Sequence, residues 1–326
     1  MQHRQLGNSE IQASVVAFGA WAIGGWKWGG ADAKESISAI HNAIDAGINF
    51  IDTAAVYGFG LSEEIVGQAI GTQKRDSLII ATKCGLRWDI ETPTLHAESE
   101  GRRIFRTLDA ASITVELEQS LKRLKTDYID LYQTHWPDPE TAPDAVMDAL
   151  IEHKRAGKIR AIGFCNASTS DLTTAAKTGE FDVDQERYSL LDRERDADNL
   201  PICVQSNLSF LAYSPMAQGL LTDKLDPSRV YKEGDLRIGN PRFSKDNIST
   251  IASVLEPVKA LANDRNVKIE QLILAWTLQQ PGVSHVLVGV RSAEQANSNA
   301  VAGALVLSAD ELNIISKAAD QWSGFS

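Results

Sequence analysis

The chain predicts an α/β fold, a (β/α)8 TIM barrel spanning residues 1–326 as one domain, with an N-terminal β-hairpin and extra C-terminal helices. Three observations carry that expectation. Eight short β-branched or apolar runs recur along the sequence, amphipathic segments alternate with them, and no linker or internal repeat divides the 326 residues. Eight strands alternating with helices dictate a parallel sheet. Eight such units close into a barrel of roughly 250 residues plus insertions.

The hairpin comes first: Arg4 to Leu6 and Ile11 to Ala13 flank Gly7-Asn8-Ser9-Glu10, which suits a hairpin lying across one barrel end. The eight runs follow at 15–18, 48–51, 78–81, 128–132, 159–164, 181–183, 208–212 and 285–288. Helical spacing over 34–46 places Ile37, Ile40 and Ile44 on one face, and over 110–124 it does the same for Val115, Leu117, Leu121 and Leu124. Gly47, Gly71, Gly157 and Gly179 stand where left-handed helix ends are expected. The polar stretches at 86–108 and 222–247 both follow strands, so they belong to the face where barrel sites are built.

Composition excludes other classes. A 43% hydrophobic, 23% charged chain is neither disordered nor fibrous, and a net charge of −11 with no strong basic patch argues against nucleic acid or an anionic membrane as partner. Three cysteines, Cys84, Cys165 and Cys203, have no metal-ligand spacing, and no metal site is expected. The reduced thiols, the absence of an apolar leader and the lack of a membrane-length run predict a cytoplasmic protein. Oligomeric state stays open.

Residues just after a barrel strand meet at one mouth. In order they are Asp52, Lys83, His135, Asn166, Gln185, Tyr213 and Arg291, with Tyr57 five residues beyond Asp52. Singly, each has an ordinary role: Asp52 a turn, Lys83 a surface charge, Tyr57 rim packing, His135 a satisfied polar group. Together they propose chemistry. A carboxylate beside Lys83 keeps it charged, the ammonium lowers the Tyr57 phenol toward working pH, and His135 orients the same substrate oxygen. Of the other histidines, His285 and the rest are read as surface or packing residues. No G-x-G-x-x-G lies between strand and helix, and neither a P-loop nor a nucleophile elbow is present.

At these residues the sequence strongly resembles the aldo-keto reductases. GINFIDTAAVYG at 47–58 with Ser62-Glu63, DYIDLYQTHWP at 127–137 and GKIRAIG at 157–163 are similar to the family's three signatures, in its order and spacing. The look is nearest to bacterial members that include inositol- and stress-related reductases. The resemblance implies a catalytic set of Asp52, Tyr57, Lys83 and His135. It also implies an NADPH/NADP+ site: Asn166 and Gln185 (with Asp52 alongside) at the carboxamide, Tyr213 stacked on the nicotinamide, and Trp21 near the ribose. Ser214, Pro215, Met216, Gln218 and Gly219 with Lys224 resemble the pyrophosphate loop, Arg237 is a further candidate, and Gly289, Arg291, Gln295 and Asn299 resemble the adenosine end. Arg291 beside a helix start suits a 2′-phosphate, which favours NADPH over NADH.

Two positions depart from the pattern. Cys165 stands where a serine is common and Ala167 where an aromatic is frequent, and a thiol donates more weakly than a hydroxyl. On the substrate side, Trp26, Trp28, Trp88 and Trp136 form aromatic walls beside Tyr57 and His135, with Arg87, Asp89, Arg102 and Arg103 offering charge. The expected reaction is reversible reduction of an aldehyde or ketone, sugar-like or otherwise small, with Tyr57 as general acid. Oxidation of a sugar or polyol, and a cofactor-sensing subunit with little turnover, are the alternatives; retention of His135 speaks against the last.

Overall fold

The computed structural model describes residues 1–71 and 75–325. In chain order the strands and helices are β1 (His3–Gln5), β2 (Gln12–Ser14), β3 (Val16–Gly19), α1 (Ala33–Asp45), β4 (Phe50–Asp52), α2 (Leu61–Ile70), β5 (Ile79–Cys84), β6 (Leu86–Arg87), β7 (Thr94–Ser99) and β8 (Arg102–Arg106). They continue as α3 (Ala110–Leu124), β9 (Ile129–Thr134), α4 (Pro143–Arg155), β10 (Ile159–Cys165), α5 (Thr169–Ala176), β11 (Val183–Arg187), α6 (Asn199–Gln205) and β12 (Ser209–Tyr213). The remainder is α7 (Lys245–Asp264), α8 (Ile269–Leu278), β13 (Val283–Gly289), α9 (Ala293–Ala302) and α10 (Ala309–Ala319).

Strands β3, β4, β5, β9, β10, β11, β12 and β13 pair in that order, all parallel, and β13 closes on β3. This is the expected barrel. All eight apolar runs seed one barrel strand each, and α7 packs against α10 as the expected additional helical layer.

The barrel interior has two layers, dictated by the two-residue period of a strand. Ala17, Phe50, Ile79, Ala81, Leu131, Ala161, Val183, Leu211 and Leu287 form an apolar lower layer. Leu6, Ile11 and Ala13 of the β1–β2 hairpin complete that layer from below, so the hairpin plugs the floor. Gly7 turns the hairpin at φ +52, and a Cβ there would meet the Asp182 carbonyl oxygen at 2.1 Å, so only glycine fits this approach. One alternate position further along, the same inward parity yields Gly19, Asp52, Lys83, Gln133, Gly163, Gln185, Tyr213 and Gly289, with Cys165 one alternation beyond Gly163. Register then sets them side by side, with Gly19 opposite Asp52, Lys83 opposite Gln133 and Cys165 opposite Gln185. The polar layer therefore rests on an apolar floor. The outer faces of the strands pack on the helices in a second, larger core.

Several local expectations need correction. Val115 is exposed and Ile113 is buried instead, because Ile113, Leu117, Leu121 and Leu124 lie on the core stripe of α3. Gly71 adopts right-handed dihedrals, unlike Gly47, Gly157 and Gly179, which end their helices at positive φ. The polar stretch at 86–108 lies at the mouth as expected and carries structure of its own, since β6, β8 and β7 form an antiparallel sheet there. Finally, Lys83 and Gln185 lie within their strands, and Asp52 and Tyr213 are the last residues of theirs, rather than following them.

Candidate active site

At the centre of the polar layer, the Lys83 ammonium donates to Asp52 Oδ2 at 2.7 Å and to the Thr53 carbonyl at 2.8 Å. Lys83 is 1% exposed and Asp52 4% exposed, so this is a fully desolvated ion pair. Asp52 Oδ1 accepts from Gln185 Nε2 at 3.1 Å and from Gln133 Nε2 at 3.4 Å, and Gln185 also donates to Gln133 Oε1 at 3.1 Å. Burial works against the Lys83 charge, yet Asp52 beside it holds the lysine pKa above its ordinary value. Gln133 belongs to this network but was absent from the residues singled out in the sequence. Its signal was there in the alternation of β9, where Leu131, Gln133 and His135 share one parity.

Tyr57 reaches this network on the turn between β4 and α2. That turn is tied down by Thr53 Oγ1 to Ser62 Oγ at 2.8 Å, by Ser62 Oγ to the Ala20 carbonyl at 2.8 Å, and by Ser62 N to the Tyr57 carbonyl at 3.1 Å. Buried Glu63 pins α2 by accepting from Thr82 at 2.6 Å and from Arg123 at 2.5 Å. The Lys83 ammonium lies 5.1 Å from the Tyr57 ring centroid, and the His135 ring stands edge-on to it at 5.5 Å.

The electrostatics correct one expectation. Burial raises the Tyr57 phenol above its ordinary pKa, and the opposing influence of Lys83 is smaller, so the group is a protonated donor throughout the neutral range. Although Tyr57 and His135 each keep a partly exposed edge, the protein packed around them dominates. Burial, then the Lys83 charge, pushes the His135 imidazole well below its usual range, leaving it neutral. The site thus presents a neutral phenol and a neutral imidazole above one fixed cation.

The expected cofactor residues divide into two groups. Close to the network, Asn166 at φ +57 donates to the His135 carbonyl at 3.0 Å and accepts from the Tyr213 hydroxyl at 2.7 Å. Tyr213 is itself pushed up to about 12 by burial. Cys165 is a buried neutral thiol, 3.8 Å from Gln133 Oε1, and Ala167 is buried nearby at the end of β10. Trp21 stacks on Tyr57 at 5.9 Å, and among the described residues its buried indole nitrogen has no partner.

Further out, Ser214, Ala217, Gln218 and Gly219 all have positive φ, and the short turn they form includes Pro215 and Met216. Arg237 is buried, clamped by Asp235 at 2.6 and 2.8 Å, under the rings of Tyr231 and Trp28. The segment carrying it bridges from β12 to the β3–α1 loop, where Leu236 N donates to the Lys27 carbonyl and Asp235 pairs with Trp28. Trp28, Arg229, Arg237 and Arg291 line a cavity of about 370 Å³ there. Arg291 is exposed, reaching the Gly30 carbonyl at 3.1 Å, while its own backbone N–H is capped by Gln295 at 2.8 Å. Asn299 is buried one turn further along α9, Gly289 ends β13, and Lys224 is exposed in the connection after β12.

On the opposite side of the mouth, Trp26, Trp88 and Trp136 gather with Trp21, Tyr57 and Phe59 in one aromatic cluster. Trp28 packs edge-on against Trp21 at 5.5 Å and also lines the Arg237 cavity, so it stands between the two. Arg87 and Arg103 are already neutralised, by Asp89 at 2.7 Å and by Glu91 at 2.8 Å, and Arg102 lies over the Phe59 ring. Among the described residues no helix is long and apolar enough to cross a membrane.

A closed (β/α)8 barrel with a buried carboxylate–ammonium pair beneath a phenol and an imidazole defines a carbonyl-processing oxidoreductase of the aldo-keto type. The chain belongs to the Aldo/keto reductase family, whose model matches residues 15–320. It is 40% identical over 297 residues to the aldo-keto reductase YhdN of Bacillus subtilis, covering 90% of this chain and 86% of that one. It is 37% identical to the NADH-specific methylglyoxal reductase of Escherichia coli, with 93% of each chain covered. Among solved structures, the glycerol dehydrogenase of Gluconobacter oxydans matches with a TM-score of 0.89 and 33% identity, over 100% of this chain and 97% of that one. The protein is therefore an aldo-keto reductase that uses a nicotinamide cofactor on a small carbonyl compound.

Proposed function

We propose that the protein catalyses NADPH-dependent, reversible reduction of a small or sugar-like aldehyde or ketone to its alcohol, with Tyr57 as general acid. The observation that carries this reading is the Tyr57 phenol, kept protonated by burial, beside the fixed Lys83–Asp52 pair and the neutral His135 ring.

The residues present fit the cofactor. Among the described residues the indole nitrogens of Trp21 and Trp28 are buried donors without a protein partner, and Arg229, Lys232 and Arg291 bring cations to a cavity that Asp32, Glu35 and the Asp235–Arg237 pair also line, which suits an anionic nucleotide end. Bound, the nicotinamide supplies the hydride. Asn166 and Gln185 would hold its carboxamide, Tyr213 its ring face, and the Ser214–Gly219 turn, with Met216, Gln218 and Lys224, its pyrophosphate. Gly289, Arg291, Gln295 and Asn299 would flank the adenosine end, and Trp21 the ribose.

In the reductive direction Tyr57 donates its proton to the carbonyl oxygen. Lys83 then faces the phenolate and stabilises it, and Asp52, held by Gln133 and Gln185, keeps Lys83 charged and aimed. His135, neutral, donates a hydrogen bond that fixes the same oxygen. The oxidative direction uses the same groups in reverse, and the likeness to a glycerol dehydrogenase supports keeping it as the second reading. The signature-level resemblance to inositol- and stress-related bacterial members belongs to this proposal as well.

The coenzyme choice rests on Arg291, whose exposed guanidinium is held near the cavity by Gly30. Purified protein with either coenzyme and a panel of aldehydes should show coenzyme absorbance falling faster with NADPH. Arg291→Ala should lower kcat/KM for NADPH by about 10- to 100-fold, as expected for loss of a charge-assisted contact, and leave NADH within about twofold. Equal losses on both coenzymes would reject the 2′-phosphate assignment.

A further inference from the structure

We infer that the carbonyl substrate carries an anionic group, a carboxylate or a phosphate, bound by Arg106 and Lys27 at the aromatic end of the mouth. This deepens the reductase reading and rests on it.

Arg106 ends β8 and is half-buried. Its protein partners are all uncharged: Nε donates to His96 Nδ1 at 3.1 Å, Nη1 donates to the Pro137 carbonyl at 3.3 Å, and the guanidinium lies 5.3 Å from the Trp136 ring centroid. Among the described residues no carboxylate pairs with it, although the chain carries 43 acidic side chains. The contrast with its strand neighbour is sharp, since Arg103 pairs with both Glu91 and Glu98. A guanidinium has five N–H donors, so Nη2 and one Nη1 hydrogen are left for a planar anion, the geometry that carboxylates and phosphates accept.

Lys27 is the second such cation. It is half-buried, held at φ +62, with its ammonium 4.6 Å over the Trp26 ring and no carboxylate partner among the described residues. His96 lies near both cations: burial first, then Arg106 and Lys27, push its imidazole down to about 4. It is therefore neutral, accepts through Nδ1, and carries its hydrogen on Nε2 as a further donor.

These groups belong to the same mouth as the proton donor. The Trp136 ring is 5.3 Å from His96, Trp136 follows His135 directly in the chain, and the His135 ring is 5.5 Å from Tyr57. A carbonyl presented to Tyr57 and His135 can place its other end against Trp136, Arg106 and Lys27. Two partly desolvated cations without a counter-ion in a chain of net charge −11 are a local exception, and an anionic substrate group would satisfy both.

The test compares two pairs of aldehydes, succinic semialdehyde with butanal and glyceraldehyde 3-phosphate with glyceraldehyde. The unaltered protein should favour at least one anionic member by about tenfold or more in kcat/KM. Arg106→Met should lower kcat/KM for that member by about 10- to 100-fold, and Lys27→Met by a smaller factor, while the neutral members stay within about twofold. The pair that responds identifies carboxylate or phosphate as the anion. Neutral members favoured in both pairs, or equal losses on charged and neutral aldehydes, would overturn the inference while leaving the reductase reading intact. If none of the four oxidises the coenzyme, the reductase reading fails, and a titration with succinate or inorganic phosphate decides the anion site separately. Saturable quenching of tryptophan fluorescence that Arg106→Met abolishes sustains the site; no quenching in the unaltered protein rejects it.

Discussion

Replacing Asp52 by asparagine leaves the Lys83 ammonium buried with the Thr53 carbonyl at 2.8 Å and no carboxylate at 2.7 Å. Removing one member of a fully buried ion pair destabilises by about 3–5 kcal/mol, because the surviving charge loses its compensation. Lys83→Met exposes the converse problem, although Asp52 still accepts from Gln185 and Gln133 and so is the better supported survivor. For 326 residues, an unfolding entropy of about 2.1 cal/mol/K per residue converts ~3–5 kcal/mol into a Tm drop of about 4–7 °C. Asp52→Asn should therefore melt about 4–7 °C lower and Lys83→Met somewhat less. The double variant should lose at least ~2 kcal/mol less than the sum of the singles, since no uncompensated charge remains. Urea and thermal unfolding of the four proteins measure this cycle. Additive losses, or single losses below about 1 kcal/mol, would refute the claim that the pair is coupled and desolvated.

Two pH predictions follow from the same packing. His285 is buried in the barrel floor against Phe50 and pushed down to about 3 by burial and then by Arg4, so the unfolded chain binds its proton first as pH falls. Its contribution is present above the unfolded pKa of 6.5 and lost on acidification toward about 3; His285→Leu should flatten that limb of stability against pH by up to ~1.4 kcal/mol per unit, and an unchanged slope would contradict it. In catalysis, the raised Tyr57 pKa predicts a reduction rate with no basic limb between neutrality and about pH 10, the ordinary phenol value, whereas a fall near neutrality would restore the lowered-phenol expectation.

The barrel was legible because each strand carries its own β-branched run and each helix its own periodic face, both local signals. The four residues proposed for catalysis could be picked out because three of them follow or end such runs, and the signatures around them are long. What escaped depended on the third dimension. Thr94–Ser99 combines half-buried and exposed residues of mixed polarity, interrupted by a register shift between Leu95 and Ala97, with no apolar period to mark the strand over the mouth. Gln133 looked like an ordinary polar residue until register set it beside Lys83 and Gln185. The sign of the Tyr57 shift turned on burial outweighing Lys83, a balance that spacing does not reveal. Likewise Arg87 and Arg103 read as free charges until the fold brought Asp89 and Glu91 to them, whereas among the described residues Arg106 has no acid beside it.

The central claim is that Tyr57 delivers the proton to the substrate oxygen while Lys83 and His135 hold that geometry. Single-turnover hydride transfer from NADPH, measured in the unaltered protein and in Tyr57→Phe with coenzyme affinity determined alongside, tests it most directly. The account predicts a loss of about 100- to 10,000-fold in the transfer step with coenzyme affinity changed less than about threefold. Transfer at an undiminished rate in Tyr57→Phe would contradict it.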